Sequence, residues 1–69
     1  VIDLGKEIFI LEFKVVESQL EVEAKLTAAF DQMRKKGYAN KYRGKAVHLI
    51  AVVCGREARN LLEIRSELV

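Results

Sequence analysis

The chain has 69 residues, 51% of them hydrophobic and 32% charged, with 12 basic and 10 acidic side chains for a net charge of +2. That length holds at most one small domain with a thin core, the composition excludes a disordered chain, and the near-balance of charge gives no overall case for nucleic-acid binding. One cysteine, Cys54, excludes an internal disulfide and supplies no metal pattern, which points to a reducing cytoplasm, and no apolar run approaches a membrane span.

In chain order, Val1 and Ile2 lead into Asp3-Leu4-Gly5-Lys6, a polar stretch with a glycine that reads as a hairpin turn. The following strand, EIFILEFKVV (residues 7–16), alternates: Ile8, Ile10, Glu12 and Lys14 share one face, and Phe9, Leu11, Phe13 and Val15 share the other. The Phe-rich face is expected to be the core face. Ser18 and Glu21 have capping-box spacing, and residues 19–36 are rich in helix formers without proline. Val22, Leu26, Ala29, Phe30 and Met33 recur at spacings of three and four, which predicts a helix with one apolar stripe. Arg34, Lys35 and Lys36 suit its negative end, and Gly37 suits its termination. Residues 38–44 are polar and irregular. AVHLIAVVC (residues 46–54) is almost continuously apolar and β-branched, as in a parallel strand buried on both faces. In the tail, Leu62, Ile64 and Leu68 alternate with Glu63, Arg65 and Glu67; a helix also fits Leu61, Ile64 and Leu68, but the alternation favours an edge strand.

Glu12 and Lys14 are out of place in so apolar a strand. One explanation is structural: charges at a strand end reach water and pair with each other. The other is chemical. Side chains two positions apart on a strand project from one face about 6 to 7 Å apart, so a carboxylate that binds a divalent cation stands beside an ammonium that orients water or offsets charge on phosphate. Spacing alone leaves both open.

The order of motifs is more specific. ILEFKV, then a helix with FDQMRKKGYANKY, then HLIAVV and REARN together resemble the PD-(D/E)XK nuclease-like domain found C-terminal to AAA-ATPase-like domains in bacterial proteins. The elements carrying the resemblance are Glu12, Phe13 and Lys14, then Gln32, Gly37, Tyr38 and Tyr42, then Arg59 and Asn60, with Ala58 where that family often has lysine. The resemblance implies an α/β fold that is part of a restriction-endonuclease-like core: a β-hairpin, a crossover helix, a buried strand and an edge strand. It implies metal-dependent hydrolysis of nucleic-acid phosphodiesters with Mg²⁺ or Mn²⁺, in which Glu12 is a metal ligand, Lys14 polarises water or phosphate, and Gln32 lies near the metal. It also implies an AAA-ATPase-like domain in the same polypeptide. The alternative function is a nuclease-like module that does not cleave and serves in nucleic-acid or protein interaction.

That superfamily completes its metal site with an upstream Asp on a strand paired to the Glu-x-Lys strand. Asp3 is the upstream acid before Glu7, but a turn centred near Gly5 sets Asp3 opposite Glu7 and carries the position opposite Glu12 before Val1. Asp3 is then well over 10 Å from Glu12 at the usual strand rise. The expectation is therefore that residues 1–69 are a single fragment lacking the N-terminal helix and strand of the domain, and by itself inactive.

Other candidates carry weaker signals. Arg34, Lys35, Lys36, Lys41, Arg43 and Lys45 are six cations in 12 positions; with Tyr38 and Tyr42 they form a candidate nucleic-acid surface, although cations gather at helix C-termini anyway and tyrosines in such loops often act as packing lids. His48 reads as a packed or hydrogen-bonded imidazole, and Cys54 as a small buried hydrophobe. A single helix cannot cover both faces of the sheet, so a homodimer or larger oligomer is expected.

Overall fold

The computed structural model describes residues 1–56 and 60–69, and the motif residues Ala58 and Arg59 lie outside them. Among the described residues the chain forms a four-stranded sheet with one principal helix. The strands are β1 (Ile2–Asp3), β2 (Glu7–Val16), β3 (Ala46–Gly55) and β4 (Leu61–Leu68), side by side in chain order. β1 is antiparallel to β2, β2 parallel to β3, and β3 antiparallel to β4. The helix α1 (Val22–Lys35) spans the connection between the two parallel strands, as such a crossover requires. A one-turn helix, α2 (Tyr38–Lys41), lies within the stretch read as irregular.

Local chemistry explains the boundaries. In the β1–β2 turn Gly5 has φ of +86°, a left-handed conformation that favours glycine, and its N–H donates to Asp3 Oδ1 at 2.8 Å. The Ser18 and Glu21 capping box is present, closing a turn of 3₁₀ helix at Gln19–Glu21 that runs into α1. Gly37, at φ +67°, ends the helical run, and its N–H donates to the Arg34 carbonyl at 3.1 Å. The expected stripe is the buried one: Val22, Leu26, Ala29, Phe30 and Met33.

That stripe packs on Ile8, Ile10 and Val16 of β2 and on Val47, Leu49, Ala51 and Val53 of β3. The expectation for β2 is thereby overturned. The Ile8, Ile10, Glu12 and Lys14 face is the covered one, whereas on the Phe-rich face Phe13 is 66% and Val15 52% exposed. The physical reason is register: β3 aligns with β2 so that the fully buried Val47, Leu49, Ala51 and Val53 stand beside Ile8, Ile10, Glu12 and Lys14. Side-chain alternation fixes which residues travel together, and the helix then chooses the side. β3 meets the expectation of burial on both faces only in part: its Val47 face lies under α1, and on the other face Val52 is buried while His48, Ile50 and Cys54 are half-buried. Cys54 is a free thiol. β4 is a strand at the sheet edge, as the alternation predicts, with a bulge where Val53 and Cys54 meet Glu63 and Leu61. Among the described residues, no helix is long and apolar enough to cross a membrane.

Candidate active site

Glu12 and Lys14 sit on the covered face of β2, half-buried between the buried Ile10 and Val16. Each is flanked across the parallel pair by a fully buried β3 residue, Ala51 beside Glu12 and Val53 beside Lys14. Their own side chains keep 25% and 21% of their exposure. The apolar strand thus carries two charges at the margin of the core, held against a wall of small β3 side chains and still reached by solvent.

The Lys14 ammonium donates to Gln32 Oε1 at 2.7 Å and lies 3.6 Å from Glu12 Oε1. Gln32 comes from α1, immediately before the buried Met33, so the helix packing that buries Met33 also sets the direction of its neighbour. The three candidates from two elements, 18 residues apart in sequence for Lys14 and Gln32, form one cluster. An ammonium has three donors. One is given to Gln32, while Glu12 at 3.6 Å is an ion-pair partner rather than a hydrogen-bond acceptor.

Asp3 is not part of this cluster. It stands opposite Ile8 rather than Glu7, a one-residue difference from the expected hairpin register. It remains four positions from the level of Glu12, about 13 Å of strand. Its carboxylate is used locally, by the Gly5 N–H and by Lys45 Nζ at 3.5 Å. No group of three or more His, Cys, Asp or Glu side chains suited to a metal ion occurs among the described residues. Among the described residues a divalent cation beside Lys14 finds one carboxylate, Glu12, which falls short of the several oxygen ligands that Mg²⁺ or Mn²⁺ requires. The described residues do not by themselves make a metal site.

The cationic candidates lie elsewhere. Lys35 and Lys36 end α1, Lys41 ends α2, and Tyr42 and Arg43 follow it; all four cations are exposed. Lys45 leads into Ala46, which pairs with Glu7, at the end of β2 remote from Lys14. Tyr38 and Tyr42 are half-buried and pack against the hydrophobic core. Lys41 Nζ stands 5.5 Å and Lys45 Nζ 6.0 Å from the centre of the Tyr42 ring. A cavity of about 200 Å³ lined by Met33, Tyr38, Leu49 and Val69 includes none of Glu12, Lys14 and Gln32.

His48 stacks on Phe9, ring centres 4.7 Å apart, on the sheet face away from α1, with Nε2 3.4 Å from Glu7 Oε1. It is a packed imidazole, as its isolation in the sequence suggests. The ion pairs that tie β4 to α1 escaped the sequence reading. Arg65 donates from both terminal nitrogens to Glu23, at 3.0 and 2.9 Å, and Arg34 pairs with Glu67. Neither pair has a signal in local spacing, because each joins a helix residue to a strand residue more than 30 positions away.

No curated protein and no solved structure is significantly similar to the chain. A sequence model of the PD-(D/E)XK nuclease superfamily does match it, over residues 2–64. The match takes in β1, β2, α1 and β3, and with them Glu12, Lys14 and Gln32. By a match that spans nearly its whole length, the chain belongs to the PD-(D/E)XK nuclease superfamily.

Proposed function

We propose that the domain to which this chain belongs hydrolyses nucleic-acid phosphodiesters, and that Glu12, Lys14 and Gln32 are the part of its active site carried by residues 1–69. The observation that carries the reading is the convergence of these three side chains: Lys14 Nζ at 2.7 Å from Gln32 Oε1 and 3.6 Å from Glu12 Oε1, inside a matched nuclease-superfamily region. In this reading Lys14 donates an N–H not given to Gln32 to a non-bridging phosphate oxygen and stabilises the charge that grows there during attack. Gln32 holds the ammonium by its amide oxygen. Glu12 lies beside the ammonium and provides one carboxylate of a Mg²⁺ or Mn²⁺ site, whose remaining ligands come from outside the described residues. Superfamily members generally use divalent metals. Extending the Ile2–Phe9 and Asp3–Ile8 register carries the position opposite Glu12 two residues upstream of Val1, which is where a second carboxylate fits.

The same reading makes Lys35, Lys36, Lys41 and Arg43 phosphate contacts for a strand passing the end of α1, with Tyr38 and Tyr42 as their aromatic neighbours. By the motif resemblance, the parent is a bacterial protein with an AAA-ATPase-like domain in the same polypeptide, and its single cysteine suits a reducing cytoplasm. A specific observation favours a second reading, a non-cleaving interaction module: Glu12 has no second carboxylate beside it among the described residues.

The test uses the full-length protein. Nicking of single- or double-stranded DNA or RNA with Mg²⁺ or Mn²⁺, lost in Glu12→Gln while the melting temperature is unchanged, supports hydrolysis. Absence of cleavage on every substrate and with both metals supports the interaction module.

A further inference from the structure

β4 pairs with β3 on one side, and on the other no strand is paired with it among the described residues. Proteins commonly blunt such an edge with lysine or proline, because its free N–H and C=O groups are a template for another strand. LLEIRSEL (residues 61–68) contains neither; its safeguards are the charges Glu63, Arg65 and Glu67 and a bulge confined to its Leu61–Glu63 end. The Val69 N–H donates to the Val47 carbonyl at 2.9 Å. By the alternation of an antiparallel ladder, Glu63, Arg65 and Glu67 then turn their backbone groups toward β3, and Ile64, Ser66 and Leu68 turn theirs outward.

Outward residues can bond only outward residues, so two antiparallel copies of β4 have three registers with substantial overlap. With Arg65 on the two-fold axis, Arg65 meets Arg65 and Glu63 meets Glu67, a run of like charges. With Ile64 on the axis, the pairing must run through Leu61 and Leu62, where the bulge interrupts the strand. With Ser66 on the axis, residues 63–69 alone are used. Arg65 then faces Glu67 of the other copy twice, in the non-hydrogen-bonded positions where side chains approach most closely. Ile64 faces Leu68 of the other copy twice, on the sheet face where they are 53% and 67% exposed. The stretch Ile64-Arg65-Ser66-Glu67-Leu68 is complementary to its own reverse.

We propose that β4 is a homodimer contact, in which a second copy of this chain adds its β4 antiparallel with Ser66 on the two-fold axis. The occupant is fixed by that complementarity of charge and apolar surface, and the proposal stands independently of the hydrolytic reading. The product is one continuous eight-stranded sheet. Because the axis is perpendicular to it, both α1 helices and both Glu12–Lys14–Gln32 clusters lie on the same side.

Sedimentation equilibrium of the chain should give a two-chain mass. Ser66→Pro removes an outward N–H at the axis without touching the β3 ladder, a substitution edge strands accept, and should weaken dimerisation at least tenfold with an unchanged circular dichroism spectrum. A Cys54→Ser/Ser66→Cys variant should oxidise to a covalent dimer, since axis-related Cα atoms in a hydrogen-bonded pair are about 5.5 Å apart and within disulfide reach. The control Cys54→Ser/Glu63→Cys should not, because Glu63 faces Val69 of the other copy. Should Ser66→Pro fail to fold, the cross-link decides. A one-chain mass for the unaltered chain, or a two-chain mass with no Ser66→Cys cross-link, overturns the proposal.

Discussion

Lys14 is placed by two forces of different size. The buried β3 neighbours Ala51 and Val53 leave its stem a packing surface, and the Gln32 amide and Glu12 carboxylate take its charge at a margin still open to water. A hydrogen bond so exposed adds little to stability, so Gln32→Ala should shift the unfolding free energy by less than about 1 kcal/mol. Leu26→Ala, at 1% exposure in the middle of the core, should cost about 2–5 kcal/mol. In a domain this small that loss approaches the whole stability, and urea denaturation of the two variants should separate them clearly. That contrast also explains what was legible. Glu12 and Lys14 stood out because two charges interrupt an apolar strand, and their shared face followed from alternation. Which face the helix covers did not follow, because Phe9 and Phe13 are as apolar as Ile8 and Ile10. The packing of α1 on the Val47–Val53 face of β3, with which Ile8 and Ile10 are in register, decides it.

At the level of elements, α1 was readable almost residue by residue, since its stripe, capping box and terminal glycine all act locally. Replacing the cap, Ser18→Ala, should cost about 1 kcal/mol in thermal or denaturant unfolding. β4 was readable as a strand, but its attachment was not. The Arg65 guanidinium, hydrogen-bonded to Glu23, holds that carboxyl below its ordinary value and is itself raised by the same interaction. A carboxyl depressed in the folded state contributes stability that is complete above the ordinary value of 4.5 and is lost as the pH falls through the lower folded one. Acidification below that point should therefore loosen β4 from α1, seen as faster amide exchange in Leu61–Leu68 before β2 and β3 respond. Glu23→Gln should remove that pH dependence. The basic end of α1 belongs to this scale too: in the full-length protein, replacing Lys41 and Arg43 together should flatten the dependence of log K on log salt for duplex DNA by about 0.9 for each phosphate they neutralise.

Across the whole molecule, the sheet order β1-β2-β3-β4 brings the Glu-x-Lys strand and the Gln32 helix face together and sets Asp3 apart from them. The sequence motifs named the participants, and the fold gave the distance between them; a separation of 18 residues between Lys14 and Gln32 carries no such information. The central claim is that Lys14 acts on the scissile phosphate and that Gln32 acts through Lys14. It is tested most directly by single-turnover cleavage by the full-length protein in the variants Lys14→Met, Gln32→Ala and both together. Loss of a preorganised charge of this kind costs about 10²–10³ in rate, and groups that act as a unit are strongly non-additive. The account predicts that Lys14→Met falls by about that factor, that Gln32→Ala falls less, and that the double variant is no slower than Lys14→Met. Cleavage at the unaltered rate in Lys14→Met, or losses that multiply in the double variant, would contradict it.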